Sequence, residues 1–254
     1  MKRADNNVST DSPSAWIDNL LLAEPGKNTE VITVIGSGGK TSLIWHLAAS
    51  FVRSGRKVLV SPTTKMFPPS KPVPGVTLAG HFNETSGKLE SLPPEDLEKL
   101  VADHDFALLE GDGAKGLPLK AWAAHEPVVP PFTTLTIGVL PLWPLGKAIS
   151  EDLAHRLPLF LELTGAAAGE RLTQKHILSI ITGGKTQPGL FAKARGKKLL
   201  FFRYADSYFD NHVDGGQAVK QAREIVEALP VEFRESLSGI ICGNLHNCVK
   251  ACHG

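Results

Sequence analysis

The stretch Val31-Ile32-Thr33-Val34-Ile35-Gly36-Ser37-Gly38-Gly39-Lys40-Thr41-Ser42 limits the folds open to this chain more than any other. A short β-branched apolar run feeds a glycine turn carrying Lys40 and Thr41, and Leu43, Ile44, Leu47, Ala48 and Phe51 then recur at helical spacing. That order predicts a buried strand, a phosphate-binding loop and a helix. Glycines let the backbone bend so that N–H groups from Gly36, Ser37, Gly38, Gly39, Lys40, Thr41 and Ser42 converge on one anion. The helix N-terminus adds positive potential, and Lys40 supplies a mobile charge for the terminal phosphates. Thr41 is then placed to hold a magnesium ion. The long pattern G-x-x-x-x-G-K-[ST] needs a glycine where this chain has Val34, so the loop is a shortened form. A second Gly183-Gly184-Lys185-Thr186 lacks a comparable strand before it and reads as an ordinary turn.

The remaining strands alternate with helices. Val58-Leu59-Val60, Phe106 to Leu109, Leu135 to Leu140, Lys198 to Phe202 and Leu237 to Cys242 read as buried strands, while Leu92 to Val101, the stretch from His155 to Leu163, Thr173 to Ile180 and Gln217 to Leu229 read as helices. This alternation predicts a three-layer α/β fold with a mostly parallel sheet, the phosphate loop joining the first core strand to a helix. Residues 30–245 form the expected domain, flanked by residues 1–29, a tail with a short helix over Ala15 to Ala23, and residues 246–254, a second tail. The proline- and glycine-rich stretch from Met66 to Gly87 reads as a long loop with one short strand around Val76-Leu78.

Carboxyl ends of parallel strands line a ligand crevice, which brings three further groups of residues into consideration. Thr63 and Thr64, followed by Lys65, either face the phosphates or punctuate a turn. Glu110 and Asp112 follow the third strand, where a carboxylate beside a phosphate loop supplies the hard oxygen that magnesium chemistry requires. Lys115 and Lys120 come next and either clamp an anionic substrate or are solvated. His125, Glu126, His155 and Arg156 complete the candidate substrate residues. Catalysis falls to Lys40, Glu110 and Asp112, with Mg2+ and ATP or GTP as the expected cofactors.

Net charge bounds the partners. Among the 254 residues, 27 Lys and Arg offset 26 Asp and Glu to leave +1, so no broad field draws nucleic acid or an anionic membrane surface. The absence of an apolar run near twenty residues and of a secretory signal pattern points to a cytoplasmic protein. Three cysteines, Cys242, Cys248 and Cys252, lie near His246 and His253 but lack C-x-x-C spacing, so neither a disulfide framework nor a structural metal is expected.

The shortened loop resembles the G-T-x-G-K-[ST] turn of the Mur ligases and folylpolyglutamate synthetases. The Glu110-Gly-x-Gly end is similar to that of dethiobiotin synthetase, where the glutamate serves the metal. The ordered set of the loop, Thr63-Thr64-Lys65, Glu110 to Lys120, His125 to Pro130 and His155-Arg156 resembles the YqeC family over roughly residues 30 to 245. That resemblance implies a P-loop fold and a role as an accessory protein in maturation of selenium-dependent molybdenum hydroxylases, with the molybdenum cofactor or the hydroxylase as partner. One departure concerns the base. Where such proteins end a late strand in Asn-Lys-x-Asp, this chain has Arg203-Tyr204-Ala205-Asp206, so that Asp206 either reads guanine or caps a turn. Three function classes follow: a nucleotide-hydrolysing accessory protein, a Mur-like ligase or kinase acting on a small anionic substrate, and a regulatory module that binds nucleotide without turnover.

Overall fold

The computed structural model describes residues 29–71, 73–204 and 215–243. The helix expected over Ala15 to Ala23, Asp206, and the cluster of His246, Cys248, Cys252 and His253 lie outside the described residues. In chain order the elements are β1 (Glu30–Gly36), α1 (Lys40–Arg53), β2 (Val58–Pro62), β3 (Lys65–Met66), β4 (Val76–Leu78), β5 (His81–Asn83), β6 (Lys88–Glu90), α2 (Pro94–Ala102) and β7 (Phe106–Glu110). They continue as β8 (Leu119–Lys120), β9 (Leu135–Pro141), β10 (Ala154–His155), α3 (Leu157–Thr164), α4 (Gln174–Thr182), β11 (Lys197–Arg203), α5 (Gly215–Glu227), α6 (Val231–Glu235) and β12 (Gly239–Gly243).

Seven strands form one sheet in the order β12-β11-β9-β1-β7-β2-β4, and every pairing within it is parallel. Strands buried on both faces need apolar side chains at every position, which is why β1, β2, β7 and β9 carry near-continuous apolar runs. Alternate residues then choose their layer. Ile32 and Val34 of β1 pack on one face with Leu43, Ile44, Leu47 and Phe51 of α1. Val31 points the other way, onto Leu97 and Val101 of α2. On that second face Ile35, Leu140, Leu200 and Phe202 meet Phe160 of α3, Ile177 and Ile180 of α4, and Ala218 and Ala222 of α5. The result is the expected three-layer α/β architecture. Ile44, Leu47 and Phe51 are fully buried, each contributing about 1.5 to 3 kcal/mol of transfer free energy and together fixing α1 to the sheet.

Local chemistry sets the helix ends. Pro94 opens α2, with Glu95 and Asp96 in its first turn and Lys99 in its last, matching the helix dipole. Helix α1 differs, because Gly39 precedes it and no side chain caps it.

The stretch from Met66 to Gly87 holds more structure than its composition suggests. The strand at Val76–Leu78 is present and joins the edge of the large sheet beside β2. In addition, β3, β6 and β5 form a small antiparallel sheet. Strands of two or three residues are too short to show a period, so the pattern could not reveal them. Among the described residues no helix is long and apolar enough to cross a membrane.

Candidate functional site

Register places the site. Val34 of β1 pairs with Glu110 at the end of β7, and Glu110 also faces Pro62 at the end of β2, so three strand ends stop together beside the glycine turn. The turn needs its glycines for defined reasons. Gly36 has φ 100°, and a Cβ there would lie 2.3 Å from the Val139 carbonyl oxygen. At Gly39, with φ 141°, a Cβ would strike the side chain of Arg203 at 2.8 Å. The Ser37 N–H donates to the Val139 carbonyl at 3.1 Å, tying the turn to β9. The Ser37 hydroxyl is buried and has no hydrogen-bond partner among the described residues.

Around this turn the candidate residues converge. Thr41 donates its hydroxyl proton to Glu110 Oε2 at 2.8 Å. Lys40 Nζ donates to the Gly36 carbonyl at 2.9 Å and lies 3.4 Å from Asp112 Oδ1 and 3.9 Å from Glu110 Oε1. Burial pushes the Glu110 carboxyl above its ordinary range, with Lys40 and the Thr41 hydroxyl pulling the other way.

Asp112 is fully enclosed and acts as a hub. Its carboxylate accepts from the Gly36 N–H at 3.1 and 3.2 Å and from the Trp122 indole N–H at 2.6 Å, and it faces Lys120 Nζ at 3.2 Å. Lys120, itself 1% exposed, donates to the Gly113 carbonyl at 2.6 Å and to Glu126 Oε2 at 3.0 Å. Arg156 closes the series on Glu126. Burial alone would raise the Glu126 carboxyl, but the Arg156 hydrogen bond and the Lys120 charge outweigh it and hold it down at about 2. Lys40, Asp112, Lys120, Glu126 and Arg156 thus form a chain of alternating charge running from the glycine turn. The short parallel pair β8–β10 makes the far end possible by setting His155 opposite Lys120. Burial lowers the His155 pKa, and the charges of Arg156, Lys120 and Lys115 lower it further.

Other candidates serve the frame. Thr63 spends its hydroxyl on the Glu110 and Val128 carbonyls at 3.2 and 2.7 Å, locking β2 to β7. The Thr64 hydroxyl is buried without a partner among the described residues, and neither Thr64 nor the exposed His125 lines the cleft above the loop. Gly183 follows α4 as its C-terminal cap and Thr186 bonds Glu162, so the second Gly-Gly-Lys-Thr ends a helix instead of starting one.

The cleft itself measures about 440 Å³ and is lined by Gly38 to Ser42, Glu110, and residues from both flanks of the sheet. Residues not foreseen from the sequence include Trp122, Trp143, Phe67, Lys88 and Arg203. Arg203, at the end of β11, reaches across to donate to the Gly38 carbonyl at 2.9 Å. A readable signal existed for it, since β11 was foreseen and its carboxyl end must open on the same crevice.

With this geometry in hand, comparison with known proteins is specific. A family model described as YqeC protein matches residues 32–158, a span that holds every member of the charge chain but not Arg203. The chain is also 34% identical over 189 residues, 66% of its own length and 73% of the other, to "Uncharacterized protein YqeC" of Escherichia coli (strain K12). No solved structure matches it.

Proposed function

The chain belongs to the YqeC family, and from the geometry of its loop we propose that it binds a nucleoside triphosphate, ATP or GTP, with magnesium and hydrolyses it. One observation carries this reading: the Thr41 hydroxyl sits 2.8 Å from Glu110 Oε2, at the mouth of an uncapped helix that follows the central strand. Two hard oxygens so spaced match adjacent positions of an octahedron with metal–oxygen bonds of about 2.0 to 2.1 Å, so Thr41 and Glu110 fit magnesium. Bound there, the ion would neutralise charge on the phosphate oxygens. Asp112 is the poorer ligand because its oxygens are already taken by Gly36, Trp122 and two lysines. We assign it instead to holding Lys40 and the loop in register.

Phosphoryl transfer asks the protein mainly for position and charge. The N–H groups of the first turn of α1 receive the phosphates, and Lys40 exchanges the Gly36 carbonyl for a terminal phosphate oxygen. Water adds its oxygen to the terminal phosphorus, the bridging oxygen leaves with the nucleoside diphosphate, and a proton is released. The cellular setting we propose for this turnover is maturation of a molybdenum hydroxylase in the cytoplasm, a proposal supported by the family resemblance alone.

The test is Mg-dependent release of phosphate from ATP and GTP by the parent and by Lys40→Ala. Removing one electrostatic donor of this kind costs on the order of a hundredfold or more in rate. The variant should stay folded by circular dichroism, since Asp112 keeps Lys120, Trp122 and Gly36. A Lys40→Ala protein that turns over nucleotide at the parental rate would overturn the reading. Binding without turnover in the parent would reduce it to a nucleotide-binding regulatory module.

A further inference from the structure

The cleft extends to both sides of the phosphate loop, and the two sides differ in chemistry. Sheet order sets β9 and β11 on one side of β1, and these deliver Trp143 and Arg203 to the cleft. On the other side lie β7 and β2, and from the segments that follow them come Lys115, Lys65, Phe67 and Lys88. A nucleotide seated on the loop runs its ribose and base away in one direction only. One flank is left open beside the terminal phosphate.

That flank is built for an anion. Lys88 and Lys115 meet no carboxylate among the described residues, while Lys65 is held by Glu90 at 2.7 Å. Among the described residues Glu110 is the one carboxylate lining the cleft, and Thr41 already engages it. Lys115 has φ 51°, a left-handed conformation that costs a non-glycine residue strain and recurs at ligand clamps. Beside these cations Phe67 stands 60% exposed with Lys88 Nζ 4.5 Å from its ring centre. An exposed aromatic ring on a basic wall suits a ligand with a flat body.

We propose that Lys88, Lys115 and Phe67 form a second subsite that takes a small co-ligand with a planar body and a phosphate or carboxylate group, next to the terminal phosphate of the bound nucleotide. The orientation of this subsite rests on the nucleotide reading above. Its existence as an anion site does not.

Pyridoxal 5′-phosphate is a suitable probe, being planar, phosphorylated and able to form reducible imines with lysine. After brief exposure and borohydride reduction, labelled lysines are mapped by peptide mass spectrometry. Lys88 or Lys115 should label on the order of tenfold faster than Lys99, which is 78% exposed and does not line the cleft. The preference should persist with a magnesium complex of a non-hydrolysable ATP or GTP analogue bound, fall in Phe67→Ala, and vanish with pyridoxal lacking the phosphate. Equal labelling of Lys88, Lys115 and Lys99 would overturn the proposal. Protection of both by the analogue would also overturn it, because the lysines would then serve the nucleotide's own phosphates. Occupancy of the loop is read separately as a melting shift with the analogue, so a failed nucleotide reading and a failed subsite give different results.

Discussion

Replacing Asp112 by Asn asks whether the buried carboxylate is the structural hub of the site. The substitution keeps size and removes one negative charge at a position with 0% exposure. Two ammonium groups lose their compensation: Lys40 at 3.4 Å and Lys120 at 3.2 Å. The Asn oxygen can still accept from Trp122 or Gly36, but its NH2 group must then face donors. Lys120 retains Glu126 at 3.0 Å and the Gly113 carbonyl at 2.6 Å, and Lys40 retains the Gly36 carbonyl at 2.9 Å, which softens the loss without cancelling it. Breaking a buried ion pair by removing one partner costs about 3 to 5 kcal/mol. For a chain of this size about 1 kcal/mol moves the melting temperature by roughly 2 to 4 °C, so a fall of roughly 6 to 20 °C is expected. Urea unfolding should show a lower midpoint with an unchanged slope, as a pure stability change requires. A loss under about 1 kcal/mol, the level of an exposed pair, would refute the hub.

Glu110→Gln should retain nucleotide binding yet lose magnesium-dependent turnover by on the order of a hundredfold or more, measured by phosphate release across a magnesium titration; equal turnover at all concentrations would remove Glu110 from the reaction. Acid sensitivity should come in two windows. His46 is buried with neither ring nitrogen partnered among the described residues, and burial, then the charge of Arg53, pull its pKa down to about 4. A lowered histidine pKa means the unfolded chain binds the proton more readily, so stability is full above about 6.5 and declines as pH falls from there to about 4. Glu126 adds stability that is full above its ordinary value of 4.5 and is lost as pH falls through about 2. Melting curves of His46→Phe should therefore decline less than the parent between pH 6.5 and 4, whereas Glu126→Gln should alter the lower window.

The parts of this site that local order encodes were legible. An apolar run, a glycine turn and a helical period from Val31 to Phe51 fix strand, loop and helix with no help from the rest of the chain, and Glu110 follows from one more buried strand. Parallel neighbours then had to be supplied by topology. What Asp112 does could not be read, because its role depends on Trp122 and Lys120 folding back onto it, and Trp122 carries no pattern that distinguishes a core indole from one bonded to a carboxylate. Arg203 meets the Gly38 carbonyl across 165 residues of chain, a contact that exists only once β11 has its place beside β9. Composition misleads for a related reason. A net charge of +1 describes a protein with no field, yet folding sorts those charges into two unlike places. One is a buried alternating series in which each charge is neutralised by the next. The other is a cleft wall where Lys88 and Lys115 meet no carboxylate among the described residues. A net charge near zero therefore says nothing about any one surface, because most acids of the described residues lie exposed elsewhere and the buried ones already face Lys40, Lys120 and Arg156.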